Sequence, residues 1–346
     1  WTACPGLRHD SARKGVGQGS GARTGQNAAM QIFERYQDLP AAARGSVITI
    51  GNFDGVHRGH QALLGVVRGL ARQLHAPAAA LLFEPHPRQF FQPDKPHFQL
   101  TSLPRKLELL ERFGLDVAFV LAFDRAFAAL TAAGFVEDVL VAGLGVRQVV
   151  IGYDFRYGAK RAGDPESLQR AGLDAGFGVT IVAQVGAAGE VFSSSAIRAE
   201  LAQGDVAGAA QMMGHWWRVA GRVVAGAGRG TGLGYPTANL KLARDVALGH
   251  GIYAVRIHLD GKVYRAAAYL GTRPTFDDGE PVLELFLFDF DGDLYGREIA
   301  VEFIGFVRAD AKFTSIEALK AQMAEDCSRA QALLDQAPAE PPPPGA

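Results

Sequence analysis

Between Ser46 and about Met213, short apolar runs alternate with longer stretches whose apolar residues recur every three to four positions. Val47–Ile50, Ala78–Phe83, Val117–Leu121, Val149–Ile151 and Val179–Val182 are almost wholly apolar and predict strands buried on both faces. Between them, Gln61–Leu74, Leu103–Phe113, Ala132–Leu144 and Glu166–Gly176 carry the period of helices. This alternation predicts an α/β fold, a doubly wound parallel sheet whose ligand lies beyond the carboxyl ends of the strands. After Trp216 the pattern changes. Trp216–Val224, Ile252–Leu259, Lys262–Leu270, Val282–Phe288 and Glu298–Val307 are strand-like runs with no helix between them, separated by Gly and Asp turns such as Leu259-Asp260-Gly261-Lys262. They predict an antiparallel β-barrel. A capping box at Thr314-Ser315-Ile316-Glu317 then opens a C-terminal helix reaching about Leu334. The expected domains are 30–213 and 214–337, with the boundary near Met213 to Trp217.

The two ends lack any such pattern. Residues 1–29 begin with tryptophan and are rich in Gly, Ser, Ala and Arg, so they are expected to be a disordered extension that is not native, with Met30 the true start. Residues 338–346, with four consecutive prolines, are expected to be a disordered tail. A chain of 346 residues has room for two cores. Its net charge of −1 offers no broad basic surface for nucleic acid or an anionic membrane, so any phosphate binding must be local. No apolar run approaches the ~18 residues of a membrane span. Two distant cysteines, Cys4 and Cys327, fit a reducing cytoplasm.

The densest candidate chemistry is Thr49-Ile50-Gly51-Asn52-Phe53-Asp54-Gly55-Val56-His57-Arg58-Gly59-His60-Gln61. A strand ends, the chain turns on glycines, and two histidines three apart open a helix. Unpaired N–H groups and the positive end of the helix dipole make such a turn an anion site. His57 and His60 share a face and can donate to phosphate oxygens. The simpler alternative is that the histidines cap a helix and the glycines turn a corner. Zinc is disfavoured, because no cysteine is near and no third ligand pattern follows.

Gly51 to Gln61 resembles the G-x-F-D-G-x-H-x-G-H motif of HxGH-type nucleotidyltransferases, specifically the bacterial bifunctional riboflavin kinase/FAD synthetase family. Phe83-Glu84-Pro85-His86-Pro87, Gly152-Tyr153-Asp154-Phe155-Arg156-Tyr157-Gly158 with Arg161-Ala162-Gly163, Ser193-Ser194-Ser195-Ala196-Ile197-Arg198 and Gly234-Tyr235-Pro236-Thr237-Ala238-Asn239 follow in that family's order. The resemblance covers about residues 30–335. It implies an HxGH nucleotidyltransferase domain that adenylylates FMN, followed by a six-stranded riboflavin kinase barrel with a C-terminal helix. In the first, His57 and His60 would be catalytic and hold the ATP triphosphate. Gly51, Phe53, Gly55, Asp154, Ser193, Ser194, Ser195 and Arg198 would bind ATP and phosphate, Arg198 gripping the leaving pyrophosphate. The serines as a plain helix cap and Asp154 as a loop former remain open alternatives, and Arg161 is as readily a solvated surface cation. Pro85-His86-Pro87 would be a rigid loop shaping the pocket, without a catalytic His86.

In the second, Gly232, Gly234, Pro236, Thr237 and Asn239 would bind ATP and flavin. Thr237 and Asn239 would offer oxygen ligands to Mg²⁺, and Glu284 would act as base on riboflavin's hydroxyl. An outward-facing strand residue is the alternative for Glu284. The family commonly has arginine where Thr231 stands, and a polar residue where Phe286 stands. The partners implied are riboflavin, FMN and ATP as substrates and FAD as product, with no nucleic acid or membrane, in a cytoplasmic monomer or weak homo-oligomer. A chain that only adenylylates FMN, with a degenerate flavin-holding barrel, is the runner-up; a non-catalytic flavin sensor is a third reading.

Overall fold

The computed structural model describes residues 29–187, 190–224, 237–243, 245–272 and 281–342. In the first module six parallel strands, β1 (Gln31–Phe33), β2 (Val47–Ile50), β3 (Ala78–Glu84), β4 (Val117–Ala122), β5 (Gln148–Gly152) and β6 (Gly178–Val182), stand in the order β1-β4-β3-β2-β5-β6. Helices α1 (Arg58–Gln73), α2 (Pro87–Phe91), α3 (Leu103–Arg112), α4 (Arg125–Ala128), α5 (Ala132–Gly134) and α6 (Pro165–Ala175) connect them. The apolar runs are explained by the two cores they serve. Along β2, β3 and β4, Val47, Ala80, Leu82 and Ala118 face one core, while Ile48, Leu81, Phe119 and Leu121 face the other. Apart from Glu84 at the end of β3, the one polar side chain in these strands, Thr49, is fully buried as well.

The helix expected over 132–144 differs in winding. After α5, residues Phe135–Leu144 take π-helical turns, which bring Phe135, Val136, Val139, Leu140 and Leu144 to the core. The short edge strand β1 and helix α2 were not foreseen, being too brief to show a period. A small ribbon, β7 (Gly186–Ala187) with β8 (Glu190–Val191), precedes α7 (Ser194–Gln203) and α8 (Val206–Met213).

Beyond α8, six antiparallel strands close a barrel: β9 (Arg218–Val224), β10 (Ala238–Lys241), β11 (Gly251–Leu259), β12 (Lys262–Thr272), β13 (Pro281–Leu287) and β14 (Glu298–Arg308). Five match the apolar runs. The sixth, β10, carries Asn239 in a ladder where the sequence suggested a nucleotide loop; four residues between glycine-rich segments are too short to announce a strand. The last helix, α9 (Ile316–Gln336), is capped by Ser315, whose hydroxyl accepts from Ala318 N at 3.1 Å, one residue beyond the expected Thr314.

The chain changes texture at residues 213–217, but the packing does not stop there. Ile197, Leu201, Val206 and Met213 share one core with Trp217, Tyr253, Val255 and Leu285 of the barrel. Residues 338–342, expected to hang free, instead pack. Trp216 Nε1 donates to Pro338 O at 3.3 Å, Arg256 donates to the same carbonyl at 3.1 Å, and Glu340 pairs with Arg112. The Pro338 carbonyl thus accepts from two side chains of the barrel module, which a count of prolines does not reveal.

Candidate active sites

The turn after β2 lies at the carboxyl edge of the sheet. His57 is the N-cap of α1: its Nδ1 accepts from His60 N at 3.4 Å, so its proton resides on Nε2. The rings of His57 and His60 stack, centroids 3.7 Å apart, and Phe53 lies 5.0 Å from His60. Gly59 permits this stack, since a Cβ there would lie 3.0 Å from the His57 ring and 3.1 Å from Phe192 O. The turn is strained: Phe53 (φ 48°) and Val56 (φ 38°) sit in the left-handed region with Gly55 (φ 83°).

Tertiary bonds hold that strain. Asp54, nearly fully buried, accepts from Leu100 N (3.2 Å), Thr101 N (3.1 Å) and Thr101 Oγ1 (3.4 Å), and pairs with Arg198. Gly55 N donates to Thr101 Oγ1 at 3.0 Å, and His215 Nε2 lies 2.9 Å from Gly55 O. Ser194 Oγ donates to Asp54 O at 2.8 Å. Ser193 caps α7 by accepting from Ala196 N at 3.2 Å, while Ser195 is exposed. Arg198 also donates through Nε to Phe98 O at 2.6 Å; among the described residues its other terminal nitrogen makes no hydrogen bond. Gly51 follows β2 directly. Asp154 is exposed on the turn after the neighbouring β5, and Arg161 is exposed as well.

Burial sets the charge of this site. It lowers the His57 pKa to about 4, partly opposed by Asp54 and aided by His215. His60 is driven well below its ordinary value by burial, then by His57 and Lys106. At neutral pH both imidazoles are uncharged donors. Burial lowers the pKa of Lys106 and of Arg198, against the opposite pull of Asp54 on both and of Glu84 on Lys106. His86 caps α2, and its ring lies 4.5 Å from that of His97. Lys106 and His97 escaped the sequence reading. Lys106 did leave a signal, because it interrupts the apolar stripe Leu103, Leu107, Leu110 of α3.

The second cluster lies on the barrel's outer face. Leu283, Leu285 and Leu287 of β13 enter the barrel core, so Glu284 and Phe286 face outward. Outward here is not toward open water. Both line a cavity of about 570 Å³ beneath α9 and the segment after β14, with Thr237, Tyr269 and Phe313. Asn239 and Tyr269 are the cross-strand partners of Glu284, and Thr237 Oγ1 lies 3.5 Å from Glu284 Oε2. Thr237, Asn239 and Glu284 are therefore brought together, although 45 residues separate Asn239 from Glu284 in the chain. Arg308 and Asp326, not singled out in the sequence, form a bidentate pair at 2.8 Å that ties β14 to α9 across this cavity. Gly232, Gly234 and Pro236 lie outside the described residues, as does Thr231.

The FAD synthetase family model matches residues 39–196 and the riboflavin kinase model residues 213–334. The chain is 43% identical over 299 residues to the bifunctional riboflavin kinase/FMN adenylyltransferase of Escherichia coli K12, covering 86% of this chain and 96% of that one. It is 41% identical to the protein of the same description from Pseudomonas fluorescens, covering 88% and 98%. A crystal structure described as a macrolide-efflux protein from Streptococcus pneumoniae superposes with a TM-score of 0.79 at 30% identity, covering 88% of this chain and 99% of that one. No helix among the described residues is long and apolar enough to cross a membrane. With both family models matched in order and relatives aligned nearly end to end, the chain belongs to the bifunctional riboflavin kinase/FMN adenylyltransferase family.

Proposed function

We propose that the barrel phosphorylates riboflavin to FMN with ATP, releasing ADP, and that the parallel-sheet module adenylylates FMN to FAD, releasing pyrophosphate. The observation that carries this reading is the match of both catalytic families along one chain, each module holding its own polar cluster.

In the barrel, a cavity walled by Tyr269, Phe286 and Phe313 suits a flat aromatic ring system. Glu284 takes the proton of the attacking hydroxyl as its oxygen bonds to the γ-phosphorus. Thr237 and Asn239 offer hard oxygen donors beside that carboxylate, a set that fits magnesium better than a softer ion. Bound there with ATP, the ion would offset phosphate charge that repels the hydroxyl.

In the first module the nucleophile, the FMN phosphate, is already an anion, so no general base is required. It displaces pyrophosphate from the α-phosphorus, and catalysis rests on position and charge. Neutral His57 and His60 donate to phosphate oxygens, with the positive end of α1 behind them. Asp54 holds Arg198 through one terminal nitrogen, leaving the other for the departing pyrophosphate. Gly51, Phe53 and Gly55 would shape the turn that meets the phosphates, and Asp154 and the Ser193–Ser195 turn would add polar contacts to ATP.

Incubating the purified chain with riboflavin, ATP and magnesium, then separating the flavins, tests both steps. Absence of FMN and FAD rejects the reading. Conversion of FMN but not riboflavin would leave adenylylation alone.

A further inference from the structure

Between the modules lies a cleft of about 690 Å³ that neither reaction uses. Arg105 and Arg112 of α3 form one wall, and Arg218, Arg256 and His258 of the barrel form the other. Register places Glu302 opposite both Arg218 and Arg256; its carboxylate lies 2.9 Å from the first and 3.6 Å from the second. Glu108 pairs with Arg105 and lies 3.9 Å from Arg218. Four guanidiniums thus face two carboxylates from the body of the fold. Nε of Arg105 and Nε of Arg218 are buried without a hydrogen-bond partner among the described residues. A buried donor left unpaired is costly, so a small turn of either guanidinium toward an oxyanion in the cleft would be favoured.

The third carboxylate comes from the C-terminal strap. Carbonyls of Ala337 and Pro338 accept from Arg256 at 2.8 and 3.1 Å, and the strap lays Ala339, Glu340 and Pro341 along the cleft. Glu340 pairs with Arg112, yet its side chain is 64% exposed. An ion pair so exposed is weak and readily exchanged. The strap is therefore an anion on a tether, and its release would leave the four cations with two counter-charges.

We propose that this cleft binds a phosphate group, either a free ion or one carried by a nucleotide, and that Glu340 is its tethered competitor. Guanidinium forks bind phosphate through paired, charge-assisted hydrogen bonds, which a single exposed carboxylate matches poorly. The cleft adjoins the first cluster through His215, which lines it and bonds Gly55 O, but it shares with either cluster no side chain assigned to substrate.

Calorimetric titration of the full chain with inorganic phosphate, and in parallel with AMP, tests this in wild type, Arg112→Ala and Glu340→Gln. Both substitutions fall on exposed side chains, and circular dichroism confirms folding. Glu340→Gln should tighten binding about two- to fivefold, and Arg112→Ala should weaken it about tenfold. Added salt should weaken it further. Sensitivity of phosphate alone to these changes identifies a free ion; sensitivity of AMP as well identifies a nucleotide phosphate. Equal affinities in all three proteins, or no binding by Glu340→Gln, would overturn the proposal.

Discussion

Asp54→Asn is the most informative change, because Asp54 joins the histidine turn to Arg198 and to the loop at Leu100–Thr101. Its Oδ1 accepts from Thr101, and its Oδ2 accepts from Leu100 N at 3.2 Å and from Arg198. An asparagine can keep the first set with its oxygen, but its NH₂ then faces two donors. Losing the charged bond costs about 1.5–3 kcal/mol, and stranding the Leu100 amide about 1–3 kcal/mol. Arg198 retains some exposure and can turn toward water, so the lower part of that range applies, about 3 kcal/mol in all. For a module of this size the expected fall in melting temperature is roughly 6–12 °C. Calorimetry on wild type, Asp54→Asn, Arg198→Met and the double variant isolates the pair, with an expected coupling of about 1.5–2 kcal/mol. FMN-to-FAD conversion should fall with the turn's anchorage, while riboflavin phosphorylation persists below the transition. A melting temperature within about 2 °C of wild type, or coupling below about 0.5 kcal/mol, would show that this network does not hold the turn.

His60→Ala should lower FAD formation from FMN about 100-fold and leave FMN formation from riboflavin intact; loss of both in coupled flavin assays would mean that the sites are not independent. Glu284→Gln should do the reverse, lowering riboflavin phosphorylation by roughly 10²–10⁴-fold, and unchanged turnover would remove Glu284 as base. Stability should fall in acid through His215, whose pKa burial lowers from 6.5 to about 4 against the pull of its bonds to Gly55 and Trp216. Between those values the unfolded chain binds a proton that the folded chain refuses, so stability is full above pH 6.5 and drops by roughly 3 kcal/mol toward pH 4. Urea midpoints across that window should slope less in His215→Gln, and identical slopes would contradict the assignment.

The fold was legible wherever a segment carried a strong period. Five sheet strands and five barrel strands emerged because each must present apolar atoms to a core on one or both faces, and that requirement is written locally; β6, expected to be buried on both faces, is half-exposed because it is the edge of the sheet. Strand β10 and strand β1 were not legible, since three or four residues pair only because a neighbour is already in place. The histidine turn could be read from its glycines and imidazoles. Its anchoring could not: the partners of Asp54 lie 46 to 144 residues away in the chain.

The residues alone determined two architectures in series, a dense phosphate-type turn at 51–60, and an acid isolated in the apolar run at 282–286. These follow from periodicity and side-chain chemistry, which need only a few neighbours. Tertiary structure decided the rest. Only barrel closure sets Asn239 beside Glu284, only the cover of α9 turns an outward position into a cavity wall, and only the approach of α3 to the barrel gathers four arginines into one cleft. Each of these is a contact between distant segments, fixed by how strands register and cores merge, and local sequence carries no record of it.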